Sequence, residues 1–336
     1  MLDVTRFLLK QGLSFRGHDE LSNSLNRGNF LELLQWYSKR NEEVSKVVNQ
    51  NAPGNNQMIS PAIQKDLTRA CAYEITLSII EDIGNNIFSL MVDESRDISV
   101  KEQMRVVLRY VNKRGQVIER FLAIVHVSDT SSRSLKDAID ALFVKHGLSL
   151  SRLRGQGYDG TSNMRGEFNG LKSLILQENP YASRRRRQVI TNLHYYRVEV
   201  FYQVVDSVIQ EIVFQKLTQN CLVDPNFSGI EDLGSFAQKI VETLKNQAYP
   251  LVYRLIEMTL VLPVVTASVE RVFSAMKTIK TYLRNIMGDE WMNDSLVVYI
   301  EKDIFSTIEN EQILQYFQKM KSCKMQLSHL SYLRIT

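Results

Sequence analysis

The chain has 336 residues, 44% of them hydrophobic, with 41 basic and 37 acidic residues and a formal net charge of +4. That length and apolar content allow a sizeable core and two or three domains. The mild positive balance permits a nucleic-acid partner without requiring one. Three scattered cysteines, Cys71, Cys221 and Cys323, support neither a disulfide framework nor a cysteine-based zinc site. No apolar run approaches the roughly 20 residues of a membrane span, and the first residues lack an apolar signal core, so the expectation is a soluble, unsecreted protein in a reducing compartment.

In chain order, Leu2, Phe7, Leu8 and Leu9 begin a short helix that stops near Gly12. A second apolar cluster runs from Phe30 to Tyr37, and residues 51–56 read as a loop. Ser60 followed by Pro61 is a cap with proline at the first helical position, which predicts a helix from Ala62 to Glu81 ending at Gly84. The run Ile87 to Val92 then climbs into Asp93, as a buried strand that delivers a carboxylate at its end. Residues 104–111 and 117–127 flank Lys113-Arg114-Gly115-Gln116, a hairpin signal. Ser134 is expected to cap the next helix, closed by His146-Gly147, and a fourth strand leads into Asp159 before a helix from Met164 to about Gln177.

Beyond this point the expected fifth strand is not legible. Residues 183–217 read instead as one long helix with Val189, Leu193, Val200 and Leu217 among its apolar stripe. A sheet ending one strand early leaves edge groups that something must cover. From residue 230 the pattern is helical: about 236–244, 249–262, 270–282, 292–304 and 313–320.

Three carboxylates stand out, Asp93, Asp159 and Glu270, each where a strand ends or a helix begins. Brought together, they could hold two divalent cations about 3.5–4 Å apart, which needs shared hard oxygen ligands. Surface or capping acids are the alternative reading. Arg184, Arg185, Arg186 and Arg187 oppose the positive end of a helix dipole, so local stability does not explain them. They read as a phosphate-binding or nuclear-import run, or as a solvated one. Trp291, Leu296, Val298 and Tyr299 crowd one short apolar segment, which is either core or a dimer interface. The dispersed histidines suggest no metal site, and Gly155-Gln156-Gly157 lacks the Lys-Ser or Lys-Thr that a nucleotide-phosphate loop needs.

The residues around the acids carry a resemblance. Met91 to Val127, the Tyr158-Asp159-Gly160-Thr161-Ser162-Asn163 string, and above all Ser268-Val269-Glu270-Arg271-Val272-Phe273-Ser274 resemble the hAT family of DNA transposases. Leu283-Arg284-Asn285 and Asn293 to Val297 are similar to that family's C-terminal dimerisation region, and residues 1 to about 90 to the helical segment of zinc-finger MYM-type relatives. The resemblance implies an α/β fold: a truncated ribonuclease-H-like core flanked by mainly helical segments. It divides the chain into a helical segment 1–85, the first part of the core at 86–182, a connector at 183–229 where the family has a large insertion, and a C-terminal helical region at 230–325.

It also implies that Asp93, Asp159 and Glu270 are ancestral catalytic and metal-binding acids, with Mg²⁺ or Mn²⁺ where the site is intact and no cofactor otherwise. The chain departs from the family in having no cysteine–histidine finger ahead of the core and no counterpart of the insertion after Pro180-Tyr181. The expectation is therefore a transposase-derived protein without transposition activity. It would keep homodimerisation through the C-terminal helices and nucleic-acid binding, without a membrane, in the nucleus or in both nucleus and cytoplasm. The alternatives are active metal-dependent cleavage and strand transfer at DNA phosphodiesters, and a helical adaptor with no DNA partner.

Overall fold

A computed structural model describes residues 1–21, 24–48, 58–96, 101–158, 170–182, 224–228, 230, 232–263, 267–280 and 287–320, with only the backbone at 95–96 and 267–270. The N-terminal part is helical: α1 (Leu2–Gln11), α2 (Asn29–Ser38), α3 (Glu42–Val47) and the long α4 (Pro61–Ile83). Local chemistry sets these ends. Gly12 closes α1 in the left-handed conformation at φ 65°, as a helix C-terminus favours. The Ser60 hydroxyl accepts from the Ile63 N–H at the start of α4, with Pro61 in the first turn.

Four strands follow: β1 (Phe88–Arg96), β2 (Glu102–Val111), β3 (Val117–His126) and β4 (Leu153–Tyr158), with α5 (Ser132–His146) between the last two. Their order is β3-β2-β1-β4, antiparallel except for the parallel β1–β4 pair. This is the α/β mixed sheet expected from the sequence. The cap of α5 is Ser131 rather than Ser134. Ser134 supplies the N–H that Ser131 accepts, and Asp129 holds both serines through the Ser131 N–H and the Ser134 hydroxyl. Helix α6 (Leu171–Glu178) is the described part of the helix expected at 164–177. The stretch 183–217, including the four arginines, lies outside the described residues, as does Asp159.

The C-terminal region forms α7 (Leu233–Glu242), a short α8 (Lys245–Ala248), α9 (Pro250–Val261), α10 (Ala267–Ile279), α11 (Asp289–Ile300), α12 (Lys302–Thr307) and α13 (Asn310–Lys319). A single apolar cluster runs from Leu2 and Leu8 in α1 through Ile75 and Ile79 in α4 and Leu90 in β1 to Leu296 in α11 and Phe317 in α13. N-terminal helices, sheet and helices α10 to α13 therefore share one core, while α7 and α9 pack in a separate cluster. No described helix is long and apolar enough to cross a membrane.

Among the described residues, the edge strand β3 is covered by side chains of the C-terminal region. Asn293 Oδ1 accepts from the Ile124 N–H at 2.9 Å, and Glu301 Oε1 accepts from the Phe121 N–H at 2.7 Å. Arg120 completes this cap, donating to Glu301 at 2.8 Å and to Asp303 at 2.7 Å. Buried N–H groups are thereby satisfied at an edge that would otherwise be open to another strand.

Candidate functional site at the acidic end of the sheet

Strand periodicity puts Ser89, Met91 and Asp93 on one face of the sheet. In the parallel β1–β4 register Met91 pairs with Gly157 and Val92 with Tyr158. Asp93 is the next residue of β1, which continues to Arg96, and Asp159 follows the last residue of β4 in sequence, so the fold brings the two acid-bearing segments toward the same end of neighbouring strands. The Asp159 side chain itself lies outside the described residues.

The third segment reaches the same end by a close approach. A Cβ at Gly155 would lie 2.8 Å from Pro263 Cδ, and one at Gly157 would lie 3.1 Å from Pro263 Cβ. The two glycines let the chain leaving α9 lie directly on β4, the role a strand glycine has wherever another backbone approaches. Arg109 fixes the exit from α9, donating through Nε to the Leu260 carbonyl at 2.9 Å while pairing with Glu119 at 2.6 Å. The chain then enters α10, whose first turns contain Glu270. The Glu270 side chain is not among the described ones.

What sequence reasoning missed is the residue between these segments. Arg105, opposite Asp93 on β2, is fully buried, and its Nη2 lies 2.8 Å from Asp93 Oδ2. Its guanidinium carbon sits 3.6 Å from the ring centre of Phe273 on α10. One cation therefore joins the β1 acid Asp93 to the helix that carries Glu270. Arginine suits this position, because its plane stacks on an aromatic face while its edge meets a carboxylate. The signal in the sequence was a lone charge in the apolar run Met104-Arg105-Val106-Val107-Leu108. Among the described residues no group of three or more His, Cys, Asp or Glu side chains could hold a metal ion.

The apolar segment at 291–299 is placed mostly inward. Leu296 and Val298 are fully buried in the shared core, while Trp291 and Tyr299 pack against it partly buried. Leu296 and Val298 thus fasten α11 to its own chain, and a contact with a second copy needs other side chains. A groove of about 580 Å³ opens on the other side of α11, lined by Arg69, Lys145, His146, Glu290, Asp294 and Tyr316 among others. Burial depresses His146 to about 4, helped by Lys145, and pushes Asp294 up to about 6 against the opposing pull of Arg69. Cys71, buried in α4, is pushed up to about 12 by desolvation, which leaves it an inert thiol at neutral pH.

Comparison with known proteins agrees with this architecture. Residues 1–170 match the family described as ZMYM1/FAM200, RNase-like domain, and residues 230–304 match the hAT family C-terminal dimerisation region. Over 189 residues the chain is 25% identical to the human 52 kDa repressor of the inhibitor of the protein kinase, a match covering 54% of this chain and 24% of that protein. The mouse protein of the same name matches to the same extent. The chain thus spans about a quarter of the length of the curated relatives it matches. The chain belongs to the ZMYM1/FAM200 RNase-like domain family and carries a hAT-type C-terminal dimerisation region after that domain, a combination consistent with a hAT-derived protein.

Proposed function

We propose that this protein has kept self-association and nucleic-acid contact from its transposase ancestry and has lost phosphodiester chemistry. The observation that carries the reading is the Asp93–Arg105 pair. In a two-cation site the carboxylates offset roughly four positive charges. Here Asp93 already faces a buried guanidinium at 2.8 Å. A divalent ion at Asp93 would have to sit beside that fixed positive charge in a poorly solvated place, where like-charge repulsion is strong. The one acid whose side chain is described therefore fits Mg²⁺ or Mn²⁺ poorly, and we route no step through a metal. Asp159 and Glu270 remain, in this reading, ancestral acids at the same end of the sheet.

Self-association rests on the matched dimerisation region. Nucleic-acid contact and nuclear residence rest on Arg184 to Arg187, since phosphate binding needs charge more than a shaped groove. The repressor named among the relatives is compatible with a protein that works by association rather than bond cleavage.

The test is fluorescence anisotropy with a labelled duplex across 50–200 mM salt, values chosen because phosphate contacts weaken steeply in that range. The expected result is weak binding that falls with salt, with a log–log slope shallower by up to about 3.6 when all four arginines become glutamine. Binding unaffected by that substitution, or no binding at the lowest salt, would remove nucleic acid from the proposal.

A further inference from the structure

Helix α9 is apolar nearly all round, which is the pattern of a helix covered on every side. One side is covered. Val252 and Ile256 are buried against Ala237 and Ile240 of α7, and Val261 packs with Ile87 and Val111 at the sheet. The other side is not covered among the described residues. Leu251, Leu255 and Met258 follow one another at i, i+4 and i+7, so they form a single stripe. Leu251 is 63% exposed and Met258 37%, and Leu255 is half-buried.

A second observation lies in the turn that leads to α9. Leu244 adopts a left-handed backbone, φ 56°, at a helix end where glycine is the ordinary occupant. It is also 62% exposed. A leucine there costs backbone strain and leaves its apolar side chain in water, and neither cost has a return within the described chain.

These residues fall in the matched dimerisation region, 230–304. The large exposed hydrophobic side chains described within that region are Leu233, Leu244, Leu251 and Met258, all on the α7–α9 hairpin. By contrast, Met292, Leu296, Val297 and Val298 of α11 in the same region are buried in the chain's own core. We infer that the outward stripe of α9, Leu251-Leu255-Met258, together with Leu244, is the surface on which a second copy of this chain docks. This rests on the self-association reading and assigns it a surface. The chemistry suits a symmetric contact, because an uncharged aliphatic stripe is complementary to itself, so the same patch serves both partners of a two-fold pair. Arg254 and Glu257, paired at 2.8 Å on α9, add no net charge to α9 beside the stripe.

The experiment is sedimentation equilibrium of the full chain at micromolar to tens-of-micromolar concentration, with thermal melting as the folding control. Wild type is expected to be a dimer. Leu251→Glu with Met258→Glu should weaken the dimer roughly 100-fold or more, since two charges per copy would be buried at its centre. Leu251 is mostly exposed in the single chain and Met258 more than a third exposed, so the melting temperature extrapolated to the monomer should largely hold. Leu25→Glu, at a fully exposed leucine outside the region, should leave the mass unchanged. Three outcomes overturn the assignment. A wild-type dimer that survives the double substitution but dissociates with Trp291→Ala and Tyr299→Ala moves the surface to α11 and leaves self-association standing. A monomeric wild type removes the self-association reading itself. A monomer in which the double substitution lowers the melting temperature gives the stripe to the chain's own residues, such as the apolar stripe predicted for 183–217.

Discussion

Replacing Arg105 with methionine lowers stability by about 3 kcal/mol, and replacing Asp93 with asparagine in the same chain recovers most of that loss. Removing one partner of a buried ion pair leaves the other charge desolvated, at a cost on the order of 3–5 kcal/mol, whereas removing both with shape preserved is close to neutral. The lower figure applies because the Asp93 side chain keeps 15% of its surface while Arg105 keeps none. Methionine keeps an unbranched side chain at the site but removes the guanidinium that lies over Phe273, so the recovery in the double variant reads the ion pair apart from that lost contact. Urea unfolding of the four proteins is the measurement. A single substitution costing under about 1 kcal/mol, with no recovery in the double variant, would mean the pair contributes nothing to the fold.

Converting Asp294 to asparagine stabilises the protein at pH 7 by about 2–3 kcal/mol, and the gain disappears near pH 4. The Asp294 carboxyl titrates at about 6 in the folded chain against an ordinary value of 3.8, chiefly through burial; Glu290 pushes the same way, while the Asn293 hydrogen bond, Arg69 and Lys145 push back. Below pH 4 the group is neutral in both states and costs nothing. As pH rises from 4 to 6 the unfolded chain releases the proton while the folded chain holds it, so wild-type stability falls across that window and is flat above it. Asparagine removes the slope. Melting curves of the two proteins at pH 4, 5, 6 and 7 read the difference directly, and a variant less stable than wild type at pH 7 would show that Arg69, 4.0 Å from the carboxylate, outweighs desolvation.

Local signals in the sequence carried the helices and the sheet well, and long-range ones did not. The Ser60-Pro61 start of α4, the glycine ends at Gly12 and Gly147, and the hairpin around Gly115 are each set by residues within one turn, and each was legible. The C-terminal boundary was not. Periodicity ran one helix from Met292 to Ile304, but the chain breaks at Glu301, φ −93° and ψ 44°. Its carboxylate there accepts from Phe121, 180 residues away, a contact no local window contains. The same limit applies at 291–299, where apolar character alone does not distinguish a core face from an interface. For Asp93 the strand was readable but not its end: β1 runs on to Arg96, so Asp93 lies inside the β1–β2 ladder opposite Arg105, a register that the hairpin signal does not supply. The close approach of Pro263 to Gly155 and Gly157 was likewise a matter of topology.

The most direct test of the central claim is incubation of the purified chain with supercoiled plasmid and Mn²⁺, followed by sequencing for nicks, with Asp93→Asn and Glu270→Gln chains run alongside. If Arg105 neutralises Asp93 and phosphodiester chemistry is lost, wild type leaves the plasmid at the background of the two variants. Nicking by wild type that disappears in both variants would contradict the account and restore this end of the sheet as a working metal-dependent nuclease site.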